Sequence, residues 1–291
     1  MAGDAWNPPT TCRADPTRPI DPVFSQAMTE ARSRALSEDE RAAYDRDGFV
    51  LLRERVRTDR LAAWSERFEA LALERAPRPS KMTVMKDIEV VKGATTPPTP
   101  LHAINKLLSF EGDPVLWSYA VDPDVLAAVR SIVGDALYSI SSNVFNKPPG
   151  LDGRHPLHQD LRYFALRPPE KIVATWTAID RCTRENGCLA VVPGSHRDGL
   201  GWHGDPDWEH VNSGFFALED IDLEARVHVE MEPGDMLLFH PLLVHGSGRN
   251  RSDGFRRAIS THYAAADCER PDQPRKRPPV MRFIAADEGL A

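Results

Sequence analysis

The segment His155-Pro156-Leu157-His158-Gln159-Asp160 sets an imidazole and a carboxylate two residues apart. In an extended chain alternate residues point to one side, so His158 and Asp160 project together. Joined by one distant histidine, they make the two-histidine, one-carboxylate donor set that suits iron(II) and leaves three coordination positions open, enough for a bidentate oxo acid and dioxygen. His-x-Asp alone is a weak pattern, and ten histidines offer several third donors. His245 fits best, because it closes the apolar run from Phe239 to Val244, just before Gly246-Ser247-Gly248.

An oxo acid held at such a metal by its keto-acid end leaves a far carboxylate, which needs a cation in a dry pocket. A guanidinium fork supplies two charge-assisted hydrogen bonds for that purpose. Arg256 stands eleven positions beyond His245, where a strand begins. Arg257 has the opposite strand parity and competes for the role. His240 and His262 lie near the same core and read as structural or supporting partners. His102, His196, His203, His210 and His228 carry no pattern that marks a ligand.

Several elements must hold these residues. Residues 1–36 contain Pro8, Pro9, Pro16, Pro19 and Pro22 with little periodicity, which predicts an extended or disordered arm. Ser37-Glu38-Asp39-Glu40 is a capping-box signature for a short helix. Gly48 to Leu52 reads as a buried strand. Leu61, Trp64, Phe68 and Leu71 recur at helical spacing behind a Thr58-Asp59 cap. A second helix is expected from Asp122-Pro123 to Gly134.

Beyond Gly134 the pattern changes to strands: Ala136 to Phe145, Ile172 to Ile179, Gly187 to Val192, Arg226 to Met231, Met236 to His240 and, as the last, Arg257 to Tyr263. Helices first and many short strands after predict a mainly β fold with flanking helices, a sandwich or barrel. The catalytic domain is expected over residues 37–270, with a tail over 271–291.

Of 291 residues, 41% are hydrophobic, enough for a substantial core. The net charge of −7 argues against nucleic acid as a partner. There is no apolar run of membrane-spanning length and no secretory pattern at the start, so the expected location is cytoplasmic. Cys12, Cys182, Cys188 and Cys268 form no Cys-x-x-Cys pair, so reduced structural thiols are expected and any metal belongs to histidines and carboxylates.

Taken together, several blocks resemble the phytanoyl-CoA dioxygenase family. They are His155 to Tyr163, Trp176 to Ala178, Asn186 to Leu189, Pro193 to His196, His240 to Gly248, Asn146 to Pro149, Thr83 to Met85 and Gly254 to Ser260. The resemblance runs from about residue 45 to 268. It implies a double-stranded β-helix (jelly-roll) core, iron(II), 2-oxoglutarate as co-substrate and ascorbate as an activator.

By position, the resemblance makes His158, Asp160 and His245 the metal ligands and Arg256 the partner of the 2-oxoglutarate carboxylate. Lys106, Gln159, Trp176 and Ser247 fall where the family lines the co-substrate pocket. On an ideal strand Gln159 points away from its neighbours, so its role needs a local twist. The implied reaction with O2 is hydroxylation at carbon 2 of a branched or straight fatty acyl-CoA. The carboxylate of Asp160 favours hydroxylation over halogenation.

Lys147, Arg154, Arg162, Arg167 and Arg275-Lys276-Arg277 are candidates for meeting the phosphates of a CoA handle. Departures from the family pattern are Asn143, where an apolar residue is expected, an N-terminal arm unlike a peroxisomal presequence, and the chain after Cys268.

Overall fold

The computed structural model describes residues 35–212, 214–219, 221–271 and 282–289; the expected arm up to residue 34 lies outside the described residues. Helix α1 (Glu38–Asp47) opens on the capping box, with the Ser37 hydroxyl accepting from the Glu40 N–H and the Glu40 carboxylate accepting from the Ser37 N–H. It stops at Gly48, whose φ of 81° is the left-handed conformation that glycine adopts without penalty. Strand β1 (Phe49–Leu52) follows at once.

Helix α2 (Thr58–Ala72) has Arg57 rather than Thr58 or Asp59 at its cap; a guanidinium has no acceptor, so there is no side-chain cap bond, and Asp59 forms an ion pair with Arg57. After β2 (Thr83–Lys86), the single-turn α3 (Ile88–Val91) and β3 (Ile104–Leu108) come α4 (Pro114–Ala120) and α5 (Pro123–Val133). Both α4 and α5 start from an aspartate that caps two N–H groups, followed by proline at the first turn.

The remaining strands are β4 (Leu137–Lys147), β5 (His155–His158), β6 (Ile172–Ala178), β7 (Leu189–Val191), β8 (His203–Gly204), β9 (Ala217–Leu218), β10 (Val227–Val229), β11 (Met236–Phe239), β12 (His245–Ser247), β13 (Arg256–Ala265) and β14 (Arg282–Ile284). Among the described residues, eight strands form one sheet, ordered β1-β11-β6-β13-β4-β3-β2 with β14 also on β4. Four form a second sheet, ordered β10-β7-β12-β5. All these pairings are antiparallel, and the two sheets face each other as a double-stranded β-helix.

Strand parity sorts the large sheet's residues into two layers. On one side Val173, Leu238, Ile259 and Tyr263 pack with the helices, against Trp64, Phe68, Leu116, Tyr119 and Leu126. Burying a leucine of this kind fully stabilises by about 1.5–3 kcal/mol. The Tyr119 hydroxyl reaches Thr175 and Thr177 on that same face, so the two polar threonines of β6 are satisfied there. On the other side Ala174, Trp176, Leu237, Phe239 and Ala258 meet Leu189, Val191 and Val229 of the small sheet. Cys182 and Cys188 belong to this inner layer as free thiols, and burial pushes them up to about 12 and about 11.

The sheet does not end at β13. Arg282–Ile284 pairs with Ser139 to Leu137, so the stretch expected to be a tail contributes a strand, and Ile284 is buried in the helix-side core. Among the described residues no helix is long and apolar enough to cross a membrane.

Candidate active site

Antiparallel pairing of β5 with β12 places His245 directly opposite His158. Cross-strand neighbours of this kind are within side-chain contact, and the two rings lie 4.3 Å apart, centroid to centroid. Gly246 makes the approach possible: a Cβ there would meet the backbone oxygens of His155 and Pro156 at 2.8 and 2.9 Å. Strand β5 stops at His158. Gln159 remains extended (φ −120°, ψ 128°), and Asp160 opens a 3-10 turn, so one extended residue suffices to turn Asp160 beside His158.

Nitrogen and oxygen atoms of His158, Asp160 and His245 all lie within 4.8 Å of one another, and all three residues are buried. Nδ1 of His158 donates to the Pro156 carbonyl at 2.8 Å and Nδ1 of His245 to the Leu243 carbonyl at 2.9 Å. Those bonds fix the tautomers and leave both Nε2 lone pairs facing Asp160, at 3.3 and 3.6 Å. Burial pushes His245 down to about 4, which keeps it neutral. Burial works against the charged form of Asp160, but the surrounding histidines, with the hydrogen bond from His262 among their contributions, outweigh it and hold the carboxyl well below its usual range. Neutral imidazoles and an ionised carboxylate are the forms a metal requires, so the donor set fits an iron(II) ion.

The cluster opens on a cavity of about 320 Å³. Arg256, Trp176, Lys106 and Ser247 line it together with the three donors. Arg256 reaches it because even-numbered residues of β13, including Ser260 and His262, face the interior. Its guanidinium lies over the Trp176 ring, 5.3 Å from the centroid. Its Nε has no hydrogen-bond partner, and among the described residues no carboxylate pairs with it. Burial lowers its pKa, as expected for a cation held without an anion.

Arg257 faces the other way. It bonds Asn146 and Ser65 and pairs with Glu69 of α2 at 2.8 Å. Lys106 holds its ammonium over Phe215 (4.7 Å) and Phe145 (5.9 Å), and burial lowers it to about 8. Asn143 lines the same cavity, its amide donating to Ser141.

Gln159 is not brought to the cavity. Its amide donates to the carbonyls of Gly199 and Leu242, and its oxygen accepts from the Gly201 N–H, so the side chain ties the 199–201 loop to the loop at Leu242. No twist turns it inward, because the extended backbone keeps the expected alternation. The described candidates for phosphate contacts have partners within the protein, Arg162 lying over the Phe216 ring at 4.9 Å from its centroid. Lys147 is buried in the cavity wall, Arg154 is engaged by Asp152, and Arg167 donates to nearby backbone carbonyls. Arg275-Lys276-Arg277 lies outside the described residues.

Two supporting residues escaped the sequence reading. Nε2 of the buried His203 accepts from the Gln159 N–H at 3.0 Å and so props the chain between His158 and Asp160. It comes from a two-residue strand with no periodicity to mark it. His155 stacks on Phe215 with centroids 4.0 Å apart and lies 4.3 Å from the His158 ring; the double histidine of the segment was its signal.

A jelly roll that aims two imidazoles and one carboxylate into a cavity with an unpaired arginine defines a metal-centred oxygenase. The comparisons agree: residues 44–258 match the profile of phytanoyl-CoA dioxygenase (PhyH), and the chain belongs to that family. It is an enzyme of the 2-oxoglutarate-dependent dioxygenase type.

A probable phytanoyl-CoA dioxygenase of Caenorhabditis elegans is 43% identical over 240 residues, 80% of this chain and 76% of that protein. The human peroxisomal phytanoyl-CoA dioxygenase is 39% identical over 241 residues, 81% and 70% of the two chains. Among solved structures, the epimerase SnoN, in complex with Fe3+, alpha ketoglutarate and nogalamycin RO, shares the fold with a TM-score of 0.62 and 20% identity, covering 80% of this chain and 85% of that one. EctD from S. alaskensis gives 0.62 and 23%, covering 84% and 82%.

Proposed function

We propose that the protein hydroxylates carbon 2 of a fatty acyl-CoA such as phytanoyl-CoA, using iron(II), 2-oxoglutarate and O2. The observation that carries this reading is the buried, unpaired Arg256 in the same cavity as His158, Asp160 and His245. A buried guanidinium without a carboxylate is costly unless a ligand supplies one.

His158 and His245 would offer their Nε2 atoms to the metal and Asp160 one carboxylate oxygen. Arg256 would take the far carboxylate of 2-oxoglutarate bidentately, with Trp176 as the wall beneath it and Ser247 and Lys106 at its flanks. Iron(II), when bound, supplies the coupled oxidation of 2-oxoglutarate to succinate and CO2 and of the substrate C–H to C–OH. Phe239 and Phe215 keep water from the reacting atoms. A cytoplasmic site of action, as read from the sequence, is part of this proposal, although the human and rat relatives are named as peroxisomal.

The polar pair Asn143 and Ser141 on the cavity wall favours a second reading, the same hydroxylation on a less apolar small molecule. One experiment separates the two. Iron(II)-loaded protein is given O2 and 2-oxoglutarate, with and without phytanoyl-CoA, and succinate and hydroxylated product are measured. Succinate matched by 2-hydroxyphytanoyl-CoA supports the first reading. Slow succinate that ignores the acyl-CoA supports the second, and no succinate refutes both.

A further inference from the structure

Lys147 closes β4 and is 5% exposed, yet among the described residues it has no carboxylate partner. Its ammonium instead donates to the carbonyls of Gly153 (2.7 Å) and Gly248 (2.5 Å) and to the Ser247 hydroxyl (2.9 Å). Three acceptors use all the hydrogens an ammonium has, so Lys147 has none left for a ligand. Two of the acceptors belong to Ser247 and Gly248, on and just beyond the strand that carries His245.

The passage for its side chain is narrow. Gly187 has φ 82°, and a Cβ there would lie 3.0 Å from Lys147 Cδ and 2.5 Å from the Gly248 oxygen. In the sheet Lys147 pairs directly with Arg256, so two buried cations sit side by side in the wall of one cavity. Burial and the Arg256 charge both lower the Lys147 pKa. An anion in front of this pair relieves that repulsion.

A hydroxyl has one hydrogen and two acceptor lone pairs. Ser247 Oγ accepts from Lys147, and among the described residues its own hydrogen is given to no acceptor. We infer that Lys147 is a positioning residue: by occupying the oxygen of Ser247, it leaves the Ser247 hydrogen to be donated into the cavity, toward the carboxylate held by Arg256. This rests on the proposed binding of 2-oxoglutarate. Lys147 thus sets the direction of a hydrogen bond it does not itself make to the ligand.

The test is calorimetric titration of 2-oxoglutarate into anaerobic iron(II)-loaded protein, for the native chain, Lys147→Met, Ser247→Ala and the double variant. A hydrogen bond to a charged group corresponds to about a tenfold or larger change in Kd. Each single variant should weaken binding by about that factor, and the double variant no further than the weaker of the two. Iron affinity should be unchanged throughout, which a merely structural role for Lys147 would not allow. If Lys147→Met does not fold, Lys147→Leu, which likewise has no donor for the Ser247 oxygen, enters the same cycle with the same expectation. Penalties that multiply in the double variant overturn the inference while leaving the co-substrate reading intact. A native protein that binds no 2-oxoglutarate overturns that reading, and the inference with it.

Discussion

Nε2 of His262 lies 2.7 Å from Oδ2 of Asp160, so an imidazole on the large sheet orients the one carboxylate of the donor set. The bond ties β13 to the turn after β5 and leaves Oδ1 directed at His158. It also holds the carboxylate ionised in a buried setting, together with the other imidazoles.

His262→Leu removes that bond without adding a polar group. Partners that orient a metal ligand typically matter by about 10–100-fold in affinity. We expect iron(II) binding, measured by competition with a chelator, to weaken by that order, with His262→Gln recovering part of the loss. Unaltered affinity in His262→Leu would reduce His262 to packing.

Arg256 and Arg257 are neighbours in sequence with opposite surroundings, and their alanine variants should fail differently. Arg256→Ala should weaken 2-oxoglutarate binding by about 2 kcal/mol or more, as for truncating one partner of a buried charge pair, with little change in stability. Arg257→Ala loses bonds to Asn146 and Ser65 and the ion pair with Glu69. It should lower unfolding free energy by about 1–3 kcal/mol and leave co-substrate binding alone. A swapped outcome would make Arg257 the anion partner.

The division between what the sequence disclosed and what it hid follows the range of the interactions. His158 and Asp160 were legible because alternation along one strand is local, and His245 because it ends an apolar run. Parity separated Arg256 from Arg257 but did not choose between them; the choice depends on which face of β13 meets the small sheet, a long-range property. His203 supports Gln159 across 44 positions, and Lys147 reaches Ser247 across 100, so no window around either residue reveals the contact. Strand β2 was missed because exposed and half-exposed residues break its apolar pattern, β3 because the polar Asn105 and Lys106 interrupt Ile104, Leu107 and Leu108, and β14 because three residues show no period.

Gln159 was assigned to the co-substrate pocket through family resemblance, and the structure instead gives its amide three bonds to loop backbone. Gln159→Ala should therefore leave the Kd of 2-oxoglutarate unchanged. Its cost should fall on stability, about 1–3 kcal/mol, because the half-buried carbonyl of Gly199 and the buried one of Leu242 lose their donor. Chemical denaturation beside calorimetry distinguishes the two; a selective loss of 2-oxoglutarate affinity at native stability would restore the pocket role.

Lys106 offers a test in pH. Burial lowers it from 10.5 to about 8, with Asp160 acting weakly in the opposite sense. Below pH 8 both the folded and unfolded chains carry the proton, and the folded state bears the full cost of a buried cation. Between about 8 and 10.5 the folded chain has released the proton while the unfolded chain still holds it. Stability therefore rises with pH across that window through this group. Lys106→Met lacks the contribution, and other titrating groups are common to both proteins. The unfolding free energy of the ligand-free native protein, relative to Lys106→Met, should thus rise by roughly 2 kcal/mol between about pH 8 and pH 10. A difference that stays flat across that range would mean that Lys106 keeps an ordinary pKa and faces solvent, leaving the cavity wall beside Phe215 without its cation.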